Sequence, residues 1–260
     1  MSFKDIIVER ENRTILVKIN RPEVLNALRE NTFLELEQTL DEFSDTDELQ
    51  VMIITGAGDR SFSAGGDINA LLDMNSDGAA SFAAMTHRIL DKMESTPKPI
   101  IAAVNGYAFG AGCDLTIACD IVIASEKATF GEPPTGLGIT TPFGGTQRLP
   151  RIIGPKRAKQ LFFTGESVGA EEARTLGLVS KVVKHEELLP ETRKLVDRIL
   201  SRAPIAVGYC KRLINFSSYG DMSEGDRLES ELYAKCFDTE DKNEGMKAFL
   251  EKRKPVFKGR

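Results

Sequence analysis

Three short apolar runs constrain the fold of this chain most: "VMIIT" (51–55), "IIAAV" (100–104) and "IVIAS" (121–125). The first two are wholly apolar apart from a closing Thr, so they read as strands buried in a sheet rather than as half-exposed strands. Other strand signals are "KDIIVER", "TILVKIN" and "ATFG". Helical spacing lies between them. "NTFLELEQTLDEF" places Phe33, Leu36, Leu40 and Phe43 on one face, with Asn31 or Thr32 as the expected cap. A second helix is predicted from about Ala80 to Glu94, stopped by Pro97 and Pro99. Strand and helix alternate, which gives an α/β core.

After about Leu149 the pattern changes. "PKRAKQLFFTG" reads as a helix opening on Pro155 and closing at Gly165. "GAEEARTLGLVSKVV" reads as a short helix running into a strand. From about Glu186 the chain is nearly all helix, in four stretches. The expected division is a core over residues 1–200 and a helical region over 201–260. No low-complexity linker separates them, so they are expected to pack together.

A net charge of −5 and a pI of about 5.3 argue against nucleic acid or anionic membrane as partners. The start carries no signal-peptide or transit pattern, and no apolar run approaches the ~20 residues of a membrane helix. The expectation is a cytoplasmic protein. Cys113, Cys119, Cys210 and Cys236 form no C-x-x-C pair, and only His87 and His185 are available to join them. Free thiols and no metal site are therefore expected.

Two stretches carry the chemistry: "SFSAGGDI" (61–68) and "FGAGCD" (109–114). Neither fits a dinucleotide or phosphate-loop fingerprint. Each follows a buried strand and leads into a helix, so its bare backbone presents unpaired N–H groups. Such groups bind an anion or a developing oxyanion. Small residues also simply permit tight turns, and each stretch taken alone reads that way.

Their order decides the matter. "RPEVLNAL", "FSAGGDI", "PIIAAVNGYAFGAGCDLTIACDIVIAS", "ATFGEPPTGLGITTPFGGTQRLPRIIG", "AEEARTLGLVSKVV" and "EGMKAFLEKRKPVF" follow one another through nearly the whole chain. This succession resembles the crotonase (enoyl-CoA hydratase/isomerase) superfamily. The resemblance implies a spiral of ββα repeats followed by a helical trimerisation region, with trimers pairing into hexamers. It implies an acyl-CoA thioester as substrate and no metal or redox cofactor. Two backbone N–H groups would hold the thioester oxygen; carried over by motif, they belong to Ala64 and Ala111. Coenzyme A would run along Glu23, Val24, Leu25 and Ala27, and along Ala64, Gly65, Gly66, Asp67 and Ile68, with Gly110 beside them. Asp67 itself reads as a turn or cap residue. Phe249 and Lys252 match the place where a neighbouring subunit completes the nucleotide site.

Hydratases of this superfamily use two glutamates. The first position here is Asp114, shorter by one methylene. The second, read without a gap, is Pro134, which has no acid–base group. Glu132 stands two residues earlier and shares a face with that position on an extended segment, yet by default it reads as a surface or turn acid. His87 reads as solvent-facing. Phe109, Phe143 and residues 71–84 are expected to shape the acyl end of the pocket. The resemblance therefore implies a lyase of enoyl-CoA hydratase type with Asp114 as acid/base. The alternatives are one-acid relatives: cyclic dienoyl-CoA hydratases, isomerases, decarboxylases and CoA hydrolases. A non-catalytic CoA- or RNA-binding relative is a third reading.

Overall fold

The computed structural model describes residues 3–260. The chain opens with an antiparallel hairpin, β1 (Ile6–Glu11) and β2 (Thr14–Ile19). Helix α1 (Glu30–Asp45) follows, then β3 (Val51–Gly56), β4 (Ser61–Ser63), α2 (Ile68–Leu72) and α3 (Ser76–Ser95). Next come β5 (Ile100–Val104), β6 (Tyr107–Phe109), α4 (Ala111–Ile117), β7 (Ile121–Ser125) and β8 (Thr129–Gly131). The remaining elements are α5 (Gly145–Ile153), α6 (Pro155–Thr164), β9 (Ser167–Gly169), α7 (Ala170–Thr175), β10 (Lys181–Val183), α8 (Leu188–Leu200), α9 (Pro204–Ser217), α10 (Met222–Cys236) and α11 (Glu240–Leu250).

Two sheets stand side by side along a spiral. The larger has the order β1-β2-β3-β5-β7-β10 and is parallel from β2 onward. The smaller has the order β4-β6-β8-β9, with only β9 antiparallel. Each of three successive turns takes a strand of the larger sheet, a corner, a short strand of the smaller sheet, and then a helical segment. These are β3–β4, β5–β6 and β7–β8.

The corners need glycine. A Cβ at Gly56 would lie 2.1 Å from the Ser61 carbonyl oxygen, and one at Gly106 would lie 2.1 Å from that of Arg60. Two buried asparagines stitch the corners. Asn26 donates to the carbonyls of Ala57 (3.0 Å) and Ser61 (2.9 Å). Asn105 donates to those of Gly58 (3.0 Å) and Ser61 (3.1 Å) and accepts from Gly56 N–H (3.2 Å). Corner carbonyls thus stay satisfied away from water.

The larger sheet is buried on both faces, as its apolar runs require. Met52, Ile54, Ile100 and Ala102 point to the cluster that holds Phe33, Leu40 and Leu90 of α1 and α3. Val51, Ile53, Ile101 and Ala103 point the other way, onto Leu188 and Val196 of α8. Helix α1 begins at Glu30, and Thr32 accepts the Arg29 N–H at 3.3 Å, so the capping oxygen lies inside the helix rather than ahead of it. Helix α3 starts earlier than its apolar spacing suggests, with Asn75 capping it through Gly78 N–H at 2.9 Å. Helix α5, with Pro150 inside it, carried no clear signal in the sequence.

Helix α9 is pinned to the core by Lys211. Its ammonium pairs with Asp120 at 2.8 Å and donates to the carbonyls of Met93 (2.9 Å) and Lys98 (3.2 Å). Helices α9 to α11 expose Ile214, Tyr233, Phe249 and Leu250. Among the described residues no helix is long and apolar enough to cross a membrane.

Candidate active site

The first glycine-rich turn follows β4. Three of its N–H groups are already engaged: Ala64 donates to Leu25 O (3.0 Å), Gly65 to Ser63 Oγ (3.2 Å) and Asp67 to Leu28 O (2.8 Å). Among the described residues the Gly66 N–H has no acceptor. The Ala64 N–H, expected as an oxyanion donor, is tied to Leu25 and not free for a ligand, and the free N–H of this turn is that of Gly66. The second turn follows β6. Gly110 N–H donates to Gly131 O at 2.9 Å, while Ala111 opens α4 and has no intrahelical acceptor.

The two turns touch. A Cβ at Gly65 would lie 2.9 Å from the Phe109 carbonyl oxygen and 3.9 Å from Ala111 N. One at Gly112 would lie 2.4 Å from the Ser63 carbonyl oxygen. Bare backbone is thus what lets the turn through Gly65 and Gly66 pack against the turn that carries the free Ala111 N–H. Gly65 also has φ +110°, a left-handed value that a side chain would strain.

Asp114 stands one turn into α4, fully buried. Its Oδ2 accepts the Thr141 hydroxyl, and its Oδ1 has no hydrogen-bond partner. Gly145, the first residue of α5, faces that free oxygen: a Cβ there would lie 1.8 Å from it. Burial pushes the Asp114 carboxyl up to about 7, against the opposing pull of the Thr141 hydrogen bond and the Arg148 charge.

Glu132 is not a surface acid. It follows β8, is fully buried, and neither carboxyl oxygen has a hydrogen-bond partner. Phe130, two residues earlier, is buried too, so the extended segment carries Glu132 inward on the same face. Burial first, and the charge of Asp114 second, push its carboxyl well above the ordinary range. Pro134 is buried beside it and opens a single 3-10 turn. The expectation of an acid without a companion therefore fails: the site holds two acids, with the second supplied from position 132 rather than 134. Burial, then the charges of Glu132 and Asp114, push the neighbouring Cys113 thiol up. Arg148 reaches from α5 and is held by Glu94 (2.7 Å) and Asp91 (2.7 Å).

The segment 21–28 lies against the first turn. Leu28 N–H donates to Gly65 O at 2.8 Å. Arg21 pairs with Asp67 at 2.8 Å and donates to Ala27 O at 2.7 Å. Glu23, Val24, Leu25 and Ala27 are thereby brought beside residues 64–68, with Val24 and Ile68 exposed along the rim. Asp67 caps α2 by accepting Asn69 N–H at 3.1 Å. Phe249 and Lys252 are exposed at the end of α11, and among the described residues no hydrogen bond or ion pair joins them to this rim. His87 is exposed in a groove of about 920 Å³ between α3, α5 and α9, which neither acid lines. Phe143 stacks on Phe33 with ring centroids 5.3 Å apart and meets Phe82 edge-on at 5.7 Å, so it closes a packed aromatic cluster.

The family model described as enoyl-CoA hydratase/isomerase matches residues 9–260. The chain belongs to the enoyl-CoA hydratase/isomerase family. It is 45% identical over 257 residues to a crotonyl-CoA hydratase of Syntrophomonas wolfei, covering 99% of each chain. It is 43% identical over 254 residues to a short-chain-enoyl-CoA hydratase of Clostridium acetobutylicum, covering 98% of this chain and 97% of that one. The crystal structure of an enoyl-CoA hydratase from Bacillus anthracis superposes with a TM-score of 0.95 at 36% identity, over 99% of this chain and all of that one. The spiral expected from the sequence is the fold this family member has. Sequence reasoning missed Thr141, Gly145 and the free Gly66 N–H. Gly145 and Thr141 lie within "TPFGGTQRL", a stretch that carries no local signal for contact with an acid that stands 27 residues before Thr141.

Proposed function

We propose that this family member adds water to a 2-enoyl-CoA thioester and removes it in reverse. The observation that carries the proposal is the buried pair Asp114 and Glu132, with three carboxyl oxygens lacking partners. Buried polar atoms are rarely left so unless a water or substrate is meant to meet them. The N–H groups of Gly66 and Ala111 would donate to the thioester oxygen as negative charge builds on it. One such donor contributes roughly 3 kcal/mol in the transition state. One ionised acid takes a proton from water as the water oxygen bonds to the β-carbon. The other acid gives its proton to the α-carbon of the enolate. The names of the two bacterial relatives support a short acyl chain. A second buried acid removes the reason for preferring the one-acid branches. The exposed apolar side chains of α9 to α11 suit assembly as a trimer or hexamer.

The test is a panel of crotonyl-CoA, a longer trans-2-enoyl-CoA, a cyclic dienoyl-CoA and a malonyl-type CoA, with products read by mass. Gain of one water on crotonyl-CoA is expected, and Asp114→Asn should lower that rate by at least roughly 100-fold. Loss of CO2 or release of free CoA instead, or full turnover by Asp114→Asn, would overturn the proposal.

A further inference from the structure

The acid pair poses a question of proton placement. Two carboxyls in one dry site do not both ionise cheaply, so they share a proton. That proton settles on the acid whose negative charge has least support. Asp114 is supported from two sides: Thr141 donates to Oδ2, and the Arg148 guanidinium on α5 favours the charged form. Glu132, beyond the end of β8, has no geometrically formed hydrogen bond on either oxygen, and the one group beside it that favours its charged form is the weakly donating Cys113 thiol, with no cation to match Arg148. Cys113, on the same helix as Asp114, is the other titratable group facing the pair and is held as the neutral thiol by burial.

Thr141 is itself oriented. Its Oγ1 accepts the Phe143 N–H at 3.3 Å, which leaves its single proton for Asp114. With Oδ2 held, Oδ1 is the only oxygen of Asp114 left to react. We propose that Thr141 is a positioning residue that keeps Asp114 as the carboxylate, presents Oδ1 to the reacting water, and leaves the shared proton on Glu132. This rests on the hydratase reading and divides its labour. Asp114 Oδ1 gains a proton as a water O–H bond breaks and the oxygen bonds to the β-carbon. The Glu132 O–H bond breaks as its proton forms the C–H bond at the α-carbon. The pair ends with the one proton it began with, now on Asp114, and its return to Glu132 resets the site.

The experiment compares Thr141→Val, which keeps the volume and removes the donor, with Thr141→Ser, which keeps the donor. Hydrogen bonds to charged groups are strong enough that Thr141→Val should lose about tenfold to 100-fold in kcat. KM should change little. An acid that has lost a donor to its charged form binds its proton more tightly. The acidic limb of kcat/KM should therefore move to higher pH in Thr141→Val and return in Thr141→Ser. Infrared spectra of the resting enzyme give a readout that needs no turnover. The protonated-carboxyl band should vanish in Glu132→Gln and survive in Asp114→Asn, while Thr141→Val should add intensity that Asp114→Asn removes. An unmoved acidic limb, or a band that follows Asp114 in the otherwise native chain, would overturn the inference. A wild-type enzyme with the expected band but no hydration would overturn only the functional reading.

Discussion

Gly145→Ala tests the geometry of the acid directly. The added methyl would sit 1.8 Å from Asp114 Oδ1 and 2.8 Å from Cγ. Ordinary contact is about 3.5 Å, so the oxygen must retreat by roughly 1.5 Å or the head of α5 must move as far. Either shift breaks or bends the hydrogen bond from Thr141. A misplacement of ~1 Å at a reacting group costs roughly 100-fold, so kcat on a short enoyl-CoA should fall by at least that factor. Stability should respond far less. Gly145 sits at a helical position without a positive φ, where alanine gains up to ~1 kcal/mol in propensity. Overpacking costs about 1–3 kcal/mol and offsets that gain. Steady-state kinetics and urea unfolding of the same preparation separate the two effects. A variant that keeps its kcat within about twofold would show that Oδ1 is not the reacting oxygen, since the shift worked out above exceeds what catalysis tolerates.

Two further outcomes follow from burial and charge. Both acids hold protons more tightly in the folded chain than an unfolded carboxyl does at a pKa of about 4, so the folded chain is the one with more protons above that pH. Stability should therefore fall as pH rises from about 4 through about 7, and Glu132→Gln should flatten that fall while slowing turnover by roughly 100-fold or more; a parallel pH profile of unfolding in variant and wild type would contradict the burial assigned to Glu132. Lys211→Met should cost about 2–3 kcal/mol in urea unfolding, because it removes the cation facing Asp120 and leaves that carboxylate with the Ile100 N–H beneath α9. A loss below about 1 kcal/mol would mean the pair behaves as an exposed one.

The spiral was legible because its signals are long. Runs such as Val51–Thr55 and Ile100–Val104 state burial on two faces, and the succession of glycine turns runs the length of the chain. The site was legible only in part, since its decisive contacts are distant in sequence and geometric in kind. Counting from the motif put a donor on Ala64, and only the hydrogen bond to Leu25 shows that this N–H is spent. Glu132 looked like a turn acid because "GEPPTG" is rich in turn residues; its inward direction is set by Phe130 and the strand before it. Thr141 gave no signal, since a threonine beside proline and glycine has many ordinary uses.

The three stacked turns divide the candidate site between them. The first supplies Gly66, the second Ala111 and Asp114, and the third Glu132 and Thr141. The first two are locked together by Asn105, whose amide reaches the Gly58 and Ser61 carbonyls, and the third joins the second through Gly110 N–H and Gly131 O at 2.9 Å. An acid at position 132 with proline at 134 is a feature of the third turn alone. A chimaera that exchanges only residues 129–145 therefore asks whether the acids can be replaced while the joined first and second turns keep their shape.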